Sequence, residues 1–140
     1  MEEDQGTRED CIFCKIAKGE IPSAWLAESK NTIAFLDITP ANKGHFLVIP
    51  KQHVERIDQL PPMIFAEMSD VASKIILKLV AEIHPDGYNV LVNNGTAAGQ
   101  EIMHLHLHVI PRYDSDDFKF RWTHKSYAKD EILGYAKKLL

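Results

Sequence analysis

Three histidines stand at every second position in the last third of the chain: His104, His106 and His108. Imidazole changes charge near neutral pH, so a histidine can serve as a nucleophile, an acid or a base. The positions between and after them are apolar, and such alternation predicts a β-strand. On a strand the imidazoles share one face, about 7 Å apart, while the apolar residues face the core. This row could bind an anion and transfer protons.

His106, the central histidine, is the candidate nucleophile. A carbonyl near Nδ1–H would leave the lone pair of Nε2 free for an electrophile. Two alternatives stay open: the row could be a solvent-exposed histidine face without function, or a module in which the three histidines hold one metal ion. Alternate strand positions are too far apart to share one ion easily, which counts against the metal module.

The composition is typical of a globular domain of ordinary size. The chain has 140 residues, 45% of them apolar and 26% charged, which is enough for one core without disulfides. A net charge of −4 excludes a general binder of nucleic-acid backbones but allows a nucleotide ligand. No apolar run is long enough for a membrane span, and the acidic N-terminus does not resemble a signal peptide. We therefore expect a cytoplasmic protein with reduced cysteines.

The histidine strand needs a sheet and a covering helix, and the apolar pattern predicts both. Residues 61–83 place apolar side chains three and four positions apart, which indicates one long amphipathic helix. With one long helix for crossovers the sheet is antiparallel, and the fold class is α+β. Residues 1–10 are polar and predict a flexible tail. The remaining predicted strands are 25–29, 32–37, 45–49 and 88–93, and short helical segments are predicted at 16–19 and 129–140.

Aromatic and basic residues alternate near the C-terminus, at Phe118, Phe120 and Trp122. This alternation predicts an edge strand, and an aromatic lid over a ligand is the alternative. A structural role is favoured because exposed aromatic side chains usually pack on something.

The row of histidines is similar to the signature of the histidine triad (HIT) superfamily of nucleotide hydrolases and transferases. The signature, His-apolar-His-apolar-His-apolar-apolar, runs here from His104 to Ile110. Residues 44–53 resemble the third-strand motif of the same superfamily, and the matches together cover residues 11–112. The resemblance implies a HIT-like fold: a five-stranded antiparallel sheet with one long helix and a short N-terminal helix.

The resemblance also implies roles for individual residues. His106 would attack the α-phosphorus of a nucleotide and form a covalent nucleotidyl-histidine, which water then resolves. His108 would donate to the phosphate oxygens or the leaving group, and His45 would lie beside the phosphate. Asp37 would accept from the ribose hydroxyls, although an aspartate here can also start a turn. The other implied nucleotide-binding residues are Phe35 and Ile38 at the base, Asn93 near the phosphate, and Gln100 facing the phosphate.

One position departs from the superfamily pattern. Many members that cleave phosphoramidates or dinucleoside polyphosphates carry Ser or Thr after the glutamine, and this chain has Glu101. A carboxylate accepts hydrogen bonds but cannot donate them, and it repels an anion. Glu101 is therefore predicted to point away or to bind another partner.

A structural zinc site is the second prediction. Cys11 and Cys14 form a Cys-x-x-Cys pair, which supplies half of a tetrahedral zinc shell. The resemblance to superfamily members of the prokaryotic type, and to galactose-1-phosphate uridylyltransferases, implies that His53 and His104 complete it. Two buried, reduced cysteines without metal are the alternative.

The resemblance implies hydrolysis of a purine nucleoside 5′-phosphate derivative with release of the nucleoside monophosphate. The substrate would be an adenosine phosphoramidate or a dinucleoside polyphosphate, and the ligand resembles AMP or GMP. The alternative is a nucleotide-binding regulatory protein with slow, incidental hydrolysis. A homodimer through the long helix and an edge strand is expected. The HIT domain is expected at 11–112, with residues 113–140 as an extension packed on it.

Overall fold

The structure is a computed structural model that describes residues 7–140, and its fold is α+β, as the sequence predicts. Five strands form one sheet in the order β1-β2-β3-β5-β4, and each is antiparallel to its neighbours. The strands are β1 (Trp25–Glu28), β2 (Thr32–Leu36), β3 (Phe46–Pro50), β4 (Gly87–Val92) and β5 (Leu107–Arg112). The helices are α1 (Ile12–Ala17), α2 (Pro62–Ile83) and α3 (Glu131–Leu139). Within residues 7–140, no helix has both the length and the apolar character needed to cross a bilayer.

The long helix α2 covers one face of the sheet and leaves the other face for a site. Pro62 stands in the first turn, where a missing N–H costs nothing, and the helix ends at His84 in the left-handed conformation. Alternate strand residues point to opposite faces. On the α2 face Ala34, Phe46, Val48, Leu105, Leu107 and Val109 pack with the helix. On the opposite face a smaller cluster packs under α1: Phe13, Ile16, Ile33, Phe35, Leu47 and Ile49.

Gly44 sets the position of the loop that leads into β3. Its φ angle is +99°, and an added Cβ would lie 3.0 Å from Ile83 Cδ1 and 3.5 Å from Pro111 Cγ. A side chain here would be strained in the backbone and crowded against the end of α2. The glycine therefore brings the next residue, His45, close to β5.

The triad does not lie on one continuous strand. β5 begins at Leu107, so His104 and His106 precede it, and the predicted strand was wrong for them. Here the backbone leaves the sheet, because Leu105 N–H donates to the Val54 carbonyl at 2.7 Å in the loop after β3. The alternation of faces still holds, since Leu105, Leu107 and Val109 are all buried in the α2-side core.

Arg112 anchors the beginning of the C-terminal extension. Arg112 binds Asp116, and its guanidinium lies 3.9 Å from the centre of the Phe118 ring. The segment 118–122 forms no strand, so that prediction was wrong, and it does not line the histidine cavity. Residues 119–140, α3 included, are exposed in the single chain, and packing of the whole extension on the domain stays a prediction. At the other end, most of the predicted tail 1–10 lies outside the described residues.

Candidate active site and metal centre

A cavity of about 520 Å³ opens on the α1 face of the sheet. Its lining comes from α1 with the residues after it, the end of β2 and the loop that follows, Leu47 of β3, the loop after β4, and the triad segment. His45, His106 and His108 lie together in its wall, as the sequence predicts. The ring centres of His106 and His108 are 4.6 Å apart, and those of His45 and His108 are 5.2 Å apart.

The hydrogen bonds of His106 determine which ring nitrogen is free. Its Nδ1 lies 2.7 Å from the backbone oxygen of His104, and a carbonyl can only accept, so Nδ1 carries the proton. Nε2 then holds a lone pair, as a nucleophile requires. Phe13 packs edge-on against the ring with centroids 5.1 Å apart. Burial lowers the pKa of His106 below its usual 6.5, which keeps the imidazole neutral.

Hydrogen bonds of His45 and His108 determine that His108 carries its proton on Nε2. The backbone N–H of Ala41 donates to His45 Nδ1 at 3.1 Å, so the proton of neutral His45 is on Nε2. That Nε2 lies 2.9 Å from His108 Nδ1 and donates to it, which leaves the proton of His108 on its own Nε2. His108 Nε2 is buried and has no partner among the described residues. An unpaired buried donor is costly, so this atom is suited to a ligand oxygen.

Burial keeps both members of this pair uncharged. It lowers the pKa of His108 to about 4, with His106 and His45 as further causes. Burial also lowers the pKa of His45, although Asp37, whose Oδ2 lies 3.7 Å from His45 Nε2, acts in the opposite direction. At neutral pH the three cavity imidazoles thus provide one lone pair and one N–H donor.

The predicted nucleoside-binding residues lie at one end of the cavity. Phe35 is buried in the wall and Ile38 is 86% exposed at the rim. Asp37 Oδ1 accepts from the N–H and hydroxyl of Thr39, at 2.9 and 3.2 Å, which forms the Asx turn considered in the sequence. Asp37 Oδ2 accepts no hydrogen bond from the described residues and can receive ribose hydroxyls.

The loop before the triad differs from expectation at Gln100. Gln100 is buried outside the cavity lining, and its amide accepts from Gly95 N–H and donates to the carbonyls of Glu55 and Ile102. Its side chain braces the loop and does not face the phosphate, which corrects the prediction. Glu101, predicted to point away or to bind another partner, lines the cavity, which leaves the second alternative. Asn93 lines the cavity as predicted.

Sequence reasoning missed the contribution of the N-terminal segment to this cavity. Ile12, Phe13 and Ile16 of α1 line it, together with Ile21, Pro22 and Ser23 after the helix. The available signal was the Cys-x-x-Cys motif. If Cys11 and Cys14 share a metal ion with the triad segment, the helix that follows Cys11 and contains Cys14 must lie beside the triad.

The four predicted metal ligands do come together. The ligand atoms of Cys11, Cys14, His53 and His104 lie within 4.8 Å of one another. His104 Nδ1 is 3.3 Å from Cys11 Sγ and 3.4 Å from Cys14 Sγ, and His53 Nδ1 is 3.3 Å from Cys14 Sγ. This set has the donor chemistry of a closed tetrahedral zinc site.

The protonation states around this cluster fit a metal ion. His104 Nε2 donates to the Pro50 carbonyl at 2.8 Å, so Nδ1 holds the lone pair that faces the sulfurs. Burial raises the pKa of Cys14 to about 11, so a bound cation would displace a thiol proton. Because His104 faces the cysteines, the three triad histidines do not converge on one ion.

A second group, Asp37, His45 and His108, is also close enough for an ion. His45 is poorly suited to it, because the amide of Ala41 occupies the lone pair of Nδ1 and leaves the proton on Nε2.

Comparisons with a family model, with relatives and with solved structures all match the chain to the same family. Residues 18–115 match the family model described as HIT domain. The adenosine 5′-monophosphoramidase hnt1 of Schizosaccharomyces pombe is 46% identical over 130 residues, covering 92% of this chain and 95% of the relative. A HIT family protein from Bacillus anthracis superposes with a TM-score of 0.88 at 41% identity, covering 95% and 96% of the two chains. A zinc-bound histidine triad family protein from Mycobacterium smegmatis does so with a TM-score of 0.73 at 34% identity, covering 94% and 98%.

Proposed function

The chain belongs to the HIT domain family, and from that premise we propose that it hydrolyses purine nucleoside 5′-phosphate derivatives at the α-phosphorus. The observation that carries the proposal is the pairing of a nucleophile with a donor: His106 Nε2 holds a lone pair, and buried His108 Nε2–H lacks a partner in the described chain. The S. pombe relative is named an adenosine 5′-monophosphoramidase, which favours an adenosine phosphoramidate over a dinucleoside polyphosphate.

The reaction has two steps: transfer of the nucleotidyl group to His106, and its hydrolysis by water. The bridging nitrogen first takes a proton from solvent; His106 Nε2 then attacks phosphorus, the electron pair of the P–N bond goes to that nitrogen, and the leaving group departs as a neutral amine. A water molecule then attacks the nucleotidyl-His106, gives a proton to the released amine, and the Nε2–P electron pair returns to the imidazole. His108 Nε2–H stabilises the phosphate oxygens in both steps.

Other residues of the cavity would bind the base, the ribose and the phosphate of the nucleotide. Phe35 and Ile38 would contact the purine, Asp37 Oδ2 would accept from the ribose, and Asn93 would lie near the phosphate. His45 orients His108 through the 2.9 Å hydrogen bond and is a positioning residue rather than a direct donor.

We further propose that the ion bound by Cys11, Cys14, His53 and His104 is zinc, in a structural role. Four protein ligands leave no open position for substrate, so the metal would tether α1 to the triad segment. His104 is then a ligand and not an acid or base. A cytoplasmic location and a homodimer complete the proposal.

A turnover panel with a trapping experiment tests the function. Adenosine and guanosine phosphoramidates, diadenosine polyphosphates and adenylyl sulfate are offered, and nucleoside monophosphate release is measured. We expect turnover of phosphoramidates, and an acid-labile phosphorus–nitrogen adduct on His106 after rapid quenching. Weak turnover of every substrate, without an adduct, would favour a nucleotide-binding regulator.

A further inference from the structure

The part of the chain that the structure describes places no permanently charged cation in the wall of the cavity that would receive a phosphate. Among the described residues that line it there is neither lysine nor arginine, and two lining residues are carboxylates, Asp37 and Glu101. His45 Nδ1 accepts from the Ala41 N–H, and His108 Nδ1 accepts from His45 Nε2–H, so neither of these imidazoles carries a proton on both ring nitrogens. A polyphosphate chain with several negative charges is poorly matched to such a wall.

The two carboxylates reach the cavity from different loops. Asp37 follows β2, whereas Glu101 lies in the loop between β4 and β5, and β3 and β5 separate β2 from β4 in the sheet. Asp37 Oδ2 lies 3.7 Å from His45 Nε2, and Glu101 lines the same cavity from the loop that leads to His106 and His108. If Asp37 holds the ribose, Glu101 is the second carboxylate of the cavity wall and remains available to the leaving group.

The carboxylate of Glu101 is available to bind a leaving group in the cavity. The side chain is exposed, and it makes no hydrogen bond or ion pair within residues 7–140. An ionised carboxylate can only accept, so its natural partner is an ammonium or another cationic donor. Its neighbour Gln100 is held by three hydrogen bonds to the backbone, which fixes the loop that carries Glu101.

We propose that Glu101 selects leaving groups that carry a positive charge, so that the preferred substrates are nucleoside phosphoramidates of diamines or of other amines with a second, cationic nitrogen. This inference rests on the proposed function and adds the leaving-group class. The P–N bond breaks as described above, and the amine departs with its distal ammonium unchanged. Glu101 contacts that ammonium and takes no part in proton transfer.

Three adenosine 5′-phosphoramidates test the proposal: those of 1,3-diaminopropane, propylamine and β-alanine, which are cationic, neutral and anionic at the distal end. For the unsubstituted protein, kcat/KM for the cationic compound should exceed that for the neutral one by about fivefold, as expected for a partly exposed ion pair. The anionic compound should be the poorest. In Glu101→Gln the cationic-to-neutral ratio should fall to within about twofold, and Glu101→Lys should favour the anionic compound.

Controls separate this proposal from the proposed function. Glu82→Gln makes the same change of charge on α2, across the sheet, and should keep the unsubstituted ratio. Added salt should reduce the preference of the unsubstituted protein but not that of Glu101→Gln. Equal ratios in the unsubstituted protein and Glu101→Gln would overturn the role of Glu101 while leaving hydrolysis intact. No turnover of the neutral compound would instead count against the proposed function.

Discussion

The chemistry of His106 depends on one backbone atom that the sequence does not reveal. The pattern identified the histidine and suggested that some carbonyl holds Nδ1. The structure shows that the carbonyl is that of His104, two residues earlier, at 2.7 Å. The ring of His104 faces Cys11 and Cys14, while its backbone carbonyl accepts from His106. His104 thus links the cysteine–histidine cluster to the proposed nucleophile.

Replacing His106 with Asn should abolish turnover and leave nucleotide binding. Asparagine can keep a hydrogen bond to the His104 carbonyl but has no lone-pair nitrogen to attack phosphorus. We expect kcat to fall by about a thousandfold or more, with Kd for AMP changed by less than about threefold. Turnover and calorimetric titration measure the two quantities. His124→Asn, at an exposed histidine outside the cavity, should match the unsubstituted protein in both.

Residues of one short segment differ in how well the sequence predicts them. His104, His106 and His108 were singled out by their type and spacing, whereas Gln100, predicted to face the phosphate, does not line the cavity. The direction of Gln100 depends on hydrogen bonds to the carbonyls of Glu55 and Ile102, which the sequence pattern does not predict. Side-chain direction in an irregular loop is set by such contacts, not by alternation.

At the scale of elements, α1 is too short to be stable alone, and its place depends on what holds it. It spans Ile12–Ala17, and Cys11 caps its start by accepting from Cys14 N–H at 3.4 Å. An isolated helix of this length is marginal in water. The cysteine–histidine cluster and the packing of Phe13 and Ile16 on the sheet hold it over the cavity.

Cys14→Ser should therefore lose the metal and loosen the cavity wall. Oxygen from serine is a poor zinc ligand, and the remaining three ligands no longer close the shell. We expect about one zinc per chain in the unsubstituted protein and almost none in the variant, with Tm lower by about 5 °C or more. Metal analysis and thermal unfolding measure these. His84→Asn, a surface histidine outside the cluster, should keep its zinc, and equal metal content in both variants would refute the assignment.

The turn between β1 and β2 is tied to α2 by one carboxylate. Glu67 accepts from the hydroxyls of Ser29 and Thr32, both at 2.8 Å, and from the backbone N–H of Asn31 at 2.8 Å. Burial raises the pKa of Glu67, but these hydrogen bonds outweigh it and hold the pKa below its ordinary 4.5. The folded state therefore favours the ionised form.

Glu67→Gln should destabilise the fold in a pH-dependent way. Losing charge-assisted hydrogen bonds should lower the free energy of unfolding by about 1–2 kcal/mol at pH 7. Because the folded pKa is depressed, the stabilisation is present above pH 4.5 and is lost as pH falls through the lower, folded value. Urea unfolding at pH 7 and at pH 3–4 should show the difference between the proteins shrinking with acid. A constant difference would contradict the assigned role of the charge.

Among the elements, those with strong periodicity were predicted best. The helix predicted at 61–83 is α2 at Pro62–Ile83, and four strands agree within one or two residues at each end. The fifth strand starts three residues later than predicted, because the chain before Leu107 bonds to the loop after β3. The edge strand at 118–122 was wrong because Phe118 packs on the Arg112 guanidinium instead of extending the sheet.

At the scale of the whole molecule, the single chain leaves apolar surface uncovered beside α2. β4 is at the edge of the sheet, and Val90 pairs with Val109, so its side chain points to the α2 face. Val90 remains 49% exposed there and Tyr88 46% exposed, while Leu77 of α2 is 73% exposed. Exposed apolar side chains on an unpaired edge strand are typical of an interface. This agrees with the homodimer expected through the long helix and an edge strand.

Val90→Glu should therefore weaken self-association without unfolding the chain. The side chain is half exposed, so a carboxylate there can stay hydrated in the monomer, but in an interface it would be buried without a partner. We expect the unsubstituted protein to sediment as a dimer and the dimer Kd of the variant to rise by at least about tenfold, with circular dichroism unchanged. Leu133→Glu, at a 63% exposed position of α3, should leave the dimer intact. If Leu133→Glu dissociates the dimer and Val90→Glu does not, the C-terminal extension forms the contact and the edge of β4 does not.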